Sequence, residues 1–173
     1  PKDVKALIKT AQDDGGIHLK VLQAVEDAND AQKHVLTGKI KSRFGSDLKG
    51  KHFALWGLAF KANTDDMREA ASREVIEDLM AMGATITAYD PVARHEAQRI
   101  YGNEPKLSYS ENPMAALEGA DALVIVTEWK EFRSPDFGAI KALLKQPLIF
   151  DGRNLYDPKM VRGLGLEYLA IGR

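Results

Sequence analysis

The sequence predicts an α/β protein: a parallel, doubly wound, Rossmann-like sheet preceded by a long connecting helix. Two observations carry this expectation. From Lys51 onward, short apolar runs alternate with segments of helical period, the pattern of a parallel sheet covered on both faces. Before Lys51 the only periodicity is helical, and it continues almost unbroken to Phe44.

In chain order, Asp3 to about Ala11 reads as a short helix with Val4, Leu7, Ile8 and Ala11 on one face, ended by Asp13-Asp14-Gly15-Gly16. A second helix runs from about His18 to Phe44 on a stripe of Val21, Leu22, Val25, Ala28, Val35, Leu36, Ile40 and Phe44. At about 1.5 Å per residue it would be roughly 40 Å long. Asn29 and Gln32 interrupt the stripe; either they face solvent or a neighbouring helix, or this helix packs on a second subunit or lines a site. The link Gly45–Gly50, rich in Gly, Ser, Asp and Lys, separates an expected helical segment, 1–47, from an α/β domain, 48–173.

Strands are expected at His52–Gly57, Ala84–Asp90, Ala122–Thr127, Leu148–Asp151 and Leu166–Ile171. Helices are expected at about Asp66–Met82, Val92–Tyr101, Pro113–Glu118, Asp136–Leu144 and Pro158–Leu164. Gly83 and Gly163 fall just past helices, where a left-handed cap is wanted. No internal repeat is visible.

Composition excludes several classes of function. With 24 Lys and Arg against 25 Asp and Glu and no basic run, the chain has no nucleic-acid footprint. Its longest apolar stretch, Ala120–Thr127, is far too short to cross a bilayer, and no signal-peptide pattern is present, so no membrane partner and a cytoplasmic location are expected. There are no cysteines, hence no disulfide scaffold and no thiolate chemistry from these residues. The four histidines sit on separate elements without ligand spacing, so no metal site is expected.

The first corner of the sheet, "HFALWGLAFKANTDDMREA", is where a ligand belongs, because open parallel sheets bind beyond the carboxyl ends of their strands. The dinucleotide fingerprint G-x-G-x-x-G fails there: Gly57 is present, but Ala59 and Ala62 stand nearby instead of glycines. Lys61 and Arg68 are cations near a helix start, a placement that opposes the helix dipole and asks for an anion. That anion is either Asp65 or Asp66, with Thr64 as a further capping group, or a bound ligand. Asp90, ending the next strand, either holds a ribose or, given Pro91, opens a turn and helix. Arg153, in "FDGRN", either grips a phosphate or sugar hydroxyl or forms an edge ion pair.

Five stretches together resemble the nucleotide-sugar dehydrogenases of the UDP-glucose/GDP-mannose dehydrogenase family. They are "PKDVKAL" at Pro1–Leu7, "GLAFKANTDDMREA" at Gly57–Ala70, "YDP" at Tyr89–Pro91, "VTEWKEF" at Val126–Phe132 and "DGRN" at Asp151–Asn154. The Asn-Thr-Asp-Asp-Met wording is closer to the family's UDP-glucose members than to its GDP-mannose ones. The resemblance implies oxidation of the C6 alcohol of UDP-glucose to UDP-glucuronate, for polysaccharide biosynthesis, by two hydride transfers to NAD with an intermediate held on cysteine.

By the same resemblance, Asp3 matches a carboxylate assisting water activation and proton transfer, the alternative being a helix N-cap. Lys2 matches a lysine at the cofactor, and Arg68 an arginine reaching across to NAD. Phe60 and Lys61 match a pair contacting the UDP-sugar, and Arg153 a substrate-binding arginine. In relatives the segment matching Pro1–Asp3 follows a Gly-Gly-x-Cys-Phe motif with the nucleophile. The chain is therefore expected to be the central helix and carboxyl-terminal domain, cut from the NAD domain and the catalytic lysine, dimerising through the long helix and inactive alone. A non-catalytic nucleotide-binding or dimerisation module is the alternative; an independent NAD-binding domain is disfavoured by the degraded glycine pattern.

Overall fold

The computed structural model describes residues 2–15 and 19–172. They form two compact units that divide between Val35 and Leu36.

The first unit is a helix pair, α1 (Lys2–Gly15) and α2 (Lys20–Lys33). Helix α1 extends past the expected end near Ala11 and reaches Gly15, within the Asp13–Gly16 cluster expected to end it. Lys5 lies 3.8 Å from the buried Glu26 and 4.0 Å from Asp30. The expected start of the second helix at His18 lies outside the described residues. Its expected course is broken at His34, whose N–H bonds to the Ala31 carbonyl at φ −91°, ψ −4°. The apolar stripe of α2 is largely uncovered within this unit: Val21 is 77% and Val25 42% exposed.

Helix α3 (Val35–Phe44) follows, and its residues from Leu36 onward belong to the second unit. Leu36 and Ile40 enter the core, and Thr37 Oγ1 donates to Asp78 Oδ2 at 2.7 Å. The sheet then forms from β1 (His52–Trp56), β2 (Thr85–Tyr89), β3 (Leu107–Tyr109), β4 (Ala122–Ile125), β5 (Leu148–Asp151) and β6 (Glu167–Ala170). All pairings are parallel, in the order β3-β2-β1-β4-β5-β6. This is the doubly wound arrangement expected, with a sixth strand, β3, that the sequence reading did not place.

The helices around the sheet are α4 (Ala71–Ala81), α5 (Arg94–Tyr101), α6 (Phe137–Leu143) and α7 (Pro158–Gly163). Helix α4 buries Ser72, Val75, Ile76 and Leu79, one face at helical spacing. Each large aliphatic side chain so buried contributes about 2 kcal/mol of transfer free energy. Asp136 and Asp157 cap α6 and α7 by accepting the N–H of Ala139 and Met160, and Pro158 opens α7 where a missing N–H costs nothing. The expected helix at Pro113–Glu118 is only a 3-10 turn, Ala115–Leu117, and a second such turn spans Lys130–Phe132. Gly83 takes its expected left-handed cap at φ 98°, but Gly163 lies inside α7 and Gly165, at φ 82°, does that work instead.

Candidate functional site

Strand order reverses between β1 and β4, and ligands of open α/β sheets collect beyond the carboxyl ends of strands at such a point. Three loops meet there: 57–70 after β1, 126–136 after β4 and 152–157 after β5. The first opens at Gly57, which sits at φ 96° and packs against Thr127 so closely that a Cβ would come within 2.5 Å of the threonine Cβ.

Polar side chains then fix the loop. Asp90, buried at the end of β2, accepts from Leu58 N (2.7 Å) and Ala59 N (3.1 Å), and its other oxygen accepts from Val92 N and Ala93 N. Trp129 Nε1 donates to the same carboxylate at 3.0 Å, tying in the loop after β4. Ser72 donates to the Leu58 carbonyl, Thr127 Oγ1 to the Ala59 carbonyl at 2.7 Å, and Phe60 N to the Asp66 carbonyl at 2.8 Å. The peptide carrying Phe60 and Lys61 is thus held on both sides. Both residues face outward from it: Phe60 is 43% exposed, and no hydrogen bond or ion pair joins the Lys61 ammonium to the described residues.

Asp151, fully buried at the end of β5, shapes the third loop. It accepts from Arg153 N (2.7 Å), Leu155 N (2.8 Å) and the Tyr168 hydroxyl (2.7 Å). Arg153 is thereby turned back toward β1, where its Nη2 donates to the Phe60 carbonyl at 3.3 Å. Its Nε stands 2.6 Å from Glu128 Oε2. The structure therefore brings Arg153 and the Phe60–Lys61 peptide together, and it also contains the edge ion pair that was the alternative for Arg153.

Arg68 does not lie in the first turn of a helix. Helix α4 starts only at Ala71, and Arg68 occupies a turn before it, its guanidinium forked onto Asp66 at 2.7–3.1 Å. Asp66 also accepts Arg68 N, while Thr64 Oγ1 accepts Asp66 N. The fork holds the Arg68 pKa above its ordinary value. Asp66 and Thr64 thus act locally, as one of the two sequence readings held. Asp3 lies in the first turn of α1, inside the helix rather than at its N-cap, and is exposed. The side chain of Lys2 lies outside the described residues.

Backbone strain is concentrated at this rim. Among the described residues, the non-glycine residues at positive φ are Asn63 (65°), Glu69 (58°) and Asn154 (54°), all in the β1 and β5 loops. Left-handed Glu costs on the order of 1–3 kcal/mol and persists where surrounding contacts impose it, a pattern that clusters at functional sites. Farther along the rim, the Tyr89 hydroxyl donates to Glu131, and burial followed by that carboxylate pushes its pKa up to about 12.

The corner does not fit a dinucleotide. The stretch from β1 to α4 is a long loop with one glycine rather than a tight glycine turn onto a helix N-terminus. Asp90, at the position where a dinucleotide fold holds its ribose, has five N–H donors on its two oxygens. Glu128, Thr127 and Ser72 were not singled out in the sequence, because their roles depend on which strands become neighbours.

Residues 54–158 match the model of the UDP-glucose/GDP-mannose dehydrogenase family, UDP binding domain. A UDP-glucose 6-dehydrogenase of Pseudomonas aeruginosa is 46% identical over the whole chain, and one of Rhizobium meliloti 39% identical. The chain spans 39% of the length of each. Among solved structures, a UDP-glucose dehydrogenase from the archaeon Pyrobaculum islandicum superposes with a TM-score of 0.80 at 29% identity, covering 99% of this chain and 36% of that one.

Proposed function

The chain belongs to the UDP-glucose/GDP-mannose dehydrogenase family, and on that premise we propose that it is the nucleotide-sugar-binding part of a cytoplasmic UDP-glucose 6-dehydrogenase. The whole enzyme oxidises UDP-glucose to UDP-glucuronate with NAD as hydride acceptor. In this reading Arg153 and Lys61 bind the diphosphate and Phe60 lays its exposed ring against the nucleotide. The observation that carries it is the contact of Arg153 with the Phe60 carbonyl, which brings a guanidinium against the peptide that bears Phe60 and Lys61 at the switch point of the sheet.

Asp3 is proposed as the carboxylate that handles a proton during the chemistry, and Lys2 and Arg68 as residues that reach the cofactor. The corner of this chain does not fit NAD. No cysteine is present to form a covalent intermediate, so these 173 residues alone do not turn over. A homodimer through α2, the first part of the expected long helix, accounts for the uncovered Val21 and Val25, a feature that a dimerisation module without catalysis would share.

Calorimetric titration of the polypeptide with UDP-glucose and with NAD tests the reading. UDP-glucose is expected to bind, NAD not. Replacing Arg153→Ala is expected to weaken UDP-glucose binding about 10- to 100-fold, the loss of charge-assisted hydrogen bonds worth roughly 1.5–3 kcal/mol. Preferential NAD binding overturns the assignment, and NADH formation from UDP-glucose by this polypeptide overturns its inactivity.

A further inference from the structure

We propose that Glu128 is an exchangeable counterion for Arg153: it holds the guanidinium until a nucleoside diphosphate binds, gives it up to the phosphates, and so sets the affinity of the rim. The proposal rests on the reading of Arg153 as a ligand-binding arginine. Its evidence is the way the two side chains meet. Arginines that brace this structure fork onto a carboxylate with aligned N–H bonds, as Arg43 does on Glu167 and Arg99 on Glu96. Arg153 does not. Glu128 Oε2 lies 2.6 Å from its Nε, yet that oxygen is shielded from solvent and has no aligned donor.

The one aligned bond of the guanidinium among the described residues is the long one to the Phe60 carbonyl. Most of its five donors are therefore uncommitted. Glu128 and Arg153 are 33% and 37% exposed, so their attraction is of surface strength and inexpensive to break. While it lasts, the carboxylate cancels the charge that a diphosphate would seek. A diphosphate offers what Glu128 does not, paired acceptor oxygens in fork geometry together with more negative charge.

The experiment measures UDP affinity of the 173-residue polypeptide at low salt, as wild type and as Glu128→Gln, Glu131→Gln and Arg153→Ala. Glu131 is the control, an exposed rim carboxylate three residues away that is bonded to Tyr89 rather than to arginine. Glu128→Gln is expected to tighten UDP binding about tenfold, the effect of removing one nearby charge at a partly exposed site, and Glu131→Gln to change it less than about twofold. Arg153→Ala is expected to weaken it. If Arg153→Ala leaves UDP affinity unchanged, the underlying reading of the site fails. If Arg153→Ala weakens binding while Glu128→Gln weakens it, leaves it unchanged or acts no differently from Glu131→Gln, the counterion proposal alone fails. The Nε–H resonance of Arg153 in wild-type protein gives a reading independent of any variant: it is expected to move on saturation with UDP, and its staying in place overturns the exchange.

Discussion

Asp90→Asn removes the carboxylate on which three segments converge, and its cost can be worked from the hydrogen bonds. One oxygen takes Leu58 N, Ala59 N and Trp129 Nε1; the other takes Val92 N and Ala93 N. An amide has a single acceptor oxygen. Turned toward the three donors, it drives its NH2 against the N–H groups of Val92 and Ala93; turned the other way, it orphans three donors. The better rotamer leaves two N–H groups without an acceptor at about 1–3 kcal/mol each, and the three remaining bonds lose their charge assistance. A loss of about 3–5 kcal/mol is expected. Urea unfolding followed by tryptophan fluorescence measures it, because both tryptophans, Trp56 and Trp129, lie in the second unit and report on it alone. A loss below about 1 kcal/mol would refute the view of Asp90 as a shared acceptor and return it to the pool of ligand-binding candidates.

Two other outcomes are expected. Gly57→Ala combines a φ of 96° with a Cβ 2.6 Å from the Thr127 backbone nitrogen, for a cost of about 2–5 kcal/mol, whereas Gly119→Ala, at φ 69° in a turn with nothing within 4 Å, costs about 1; equal midpoints in urea would contradict the clash. His52, whose ring nitrogens meet Thr85 and Thr87 at 2.7 and 2.9 Å, has its pKa lowered by burial and by Lys145, against the pull of Asp121. Because the folded state disfavours the imidazolium, this contribution is complete above the unfolded pKa of about 6.5 and declines as pH falls from there toward the lower folded value. His52→Gln is therefore expected to lose less stability than wild type between pH 7.5 and 5.5, and parallel losses would show the ring to be uninvolved.

Much of the sheet was readable because β1, β4 and β5 are short, almost wholly buried apolar runs between turn residues. Strand β3 was not, since only Leu107 of its three residues is buried and so short an edge strand leaves no periodicity to detect. The start of α4 was misplaced by five residues because Asp66 carries helix-start chemistry but gives it to Arg68, and Glu69 then takes a left-handed conformation that a helix cannot contain. His34 breaks the long helix without any glycine or proline to announce it. At the site, Lys61 and Arg153 could be named as cations at strand ends, but the contact of Arg153 with the Phe60 carbonyl follows from strand order.

The strand order also determines how the crevice comes into being. With every pairing parallel, no hairpin can nucleate this sheet, and each neighbour must be fetched across a covering segment. The seam between β1 and β4 is the most distant of these: the Asp121 carboxylate that receives the His52 N–H lies 69 residues further along the chain. Closing so long a span forfeits more chain entropy than joining β1 to β2 or β4 to β5. The two halves of the sheet can therefore assemble separately, and the place where a nucleotide would dock exists only after they have found each other.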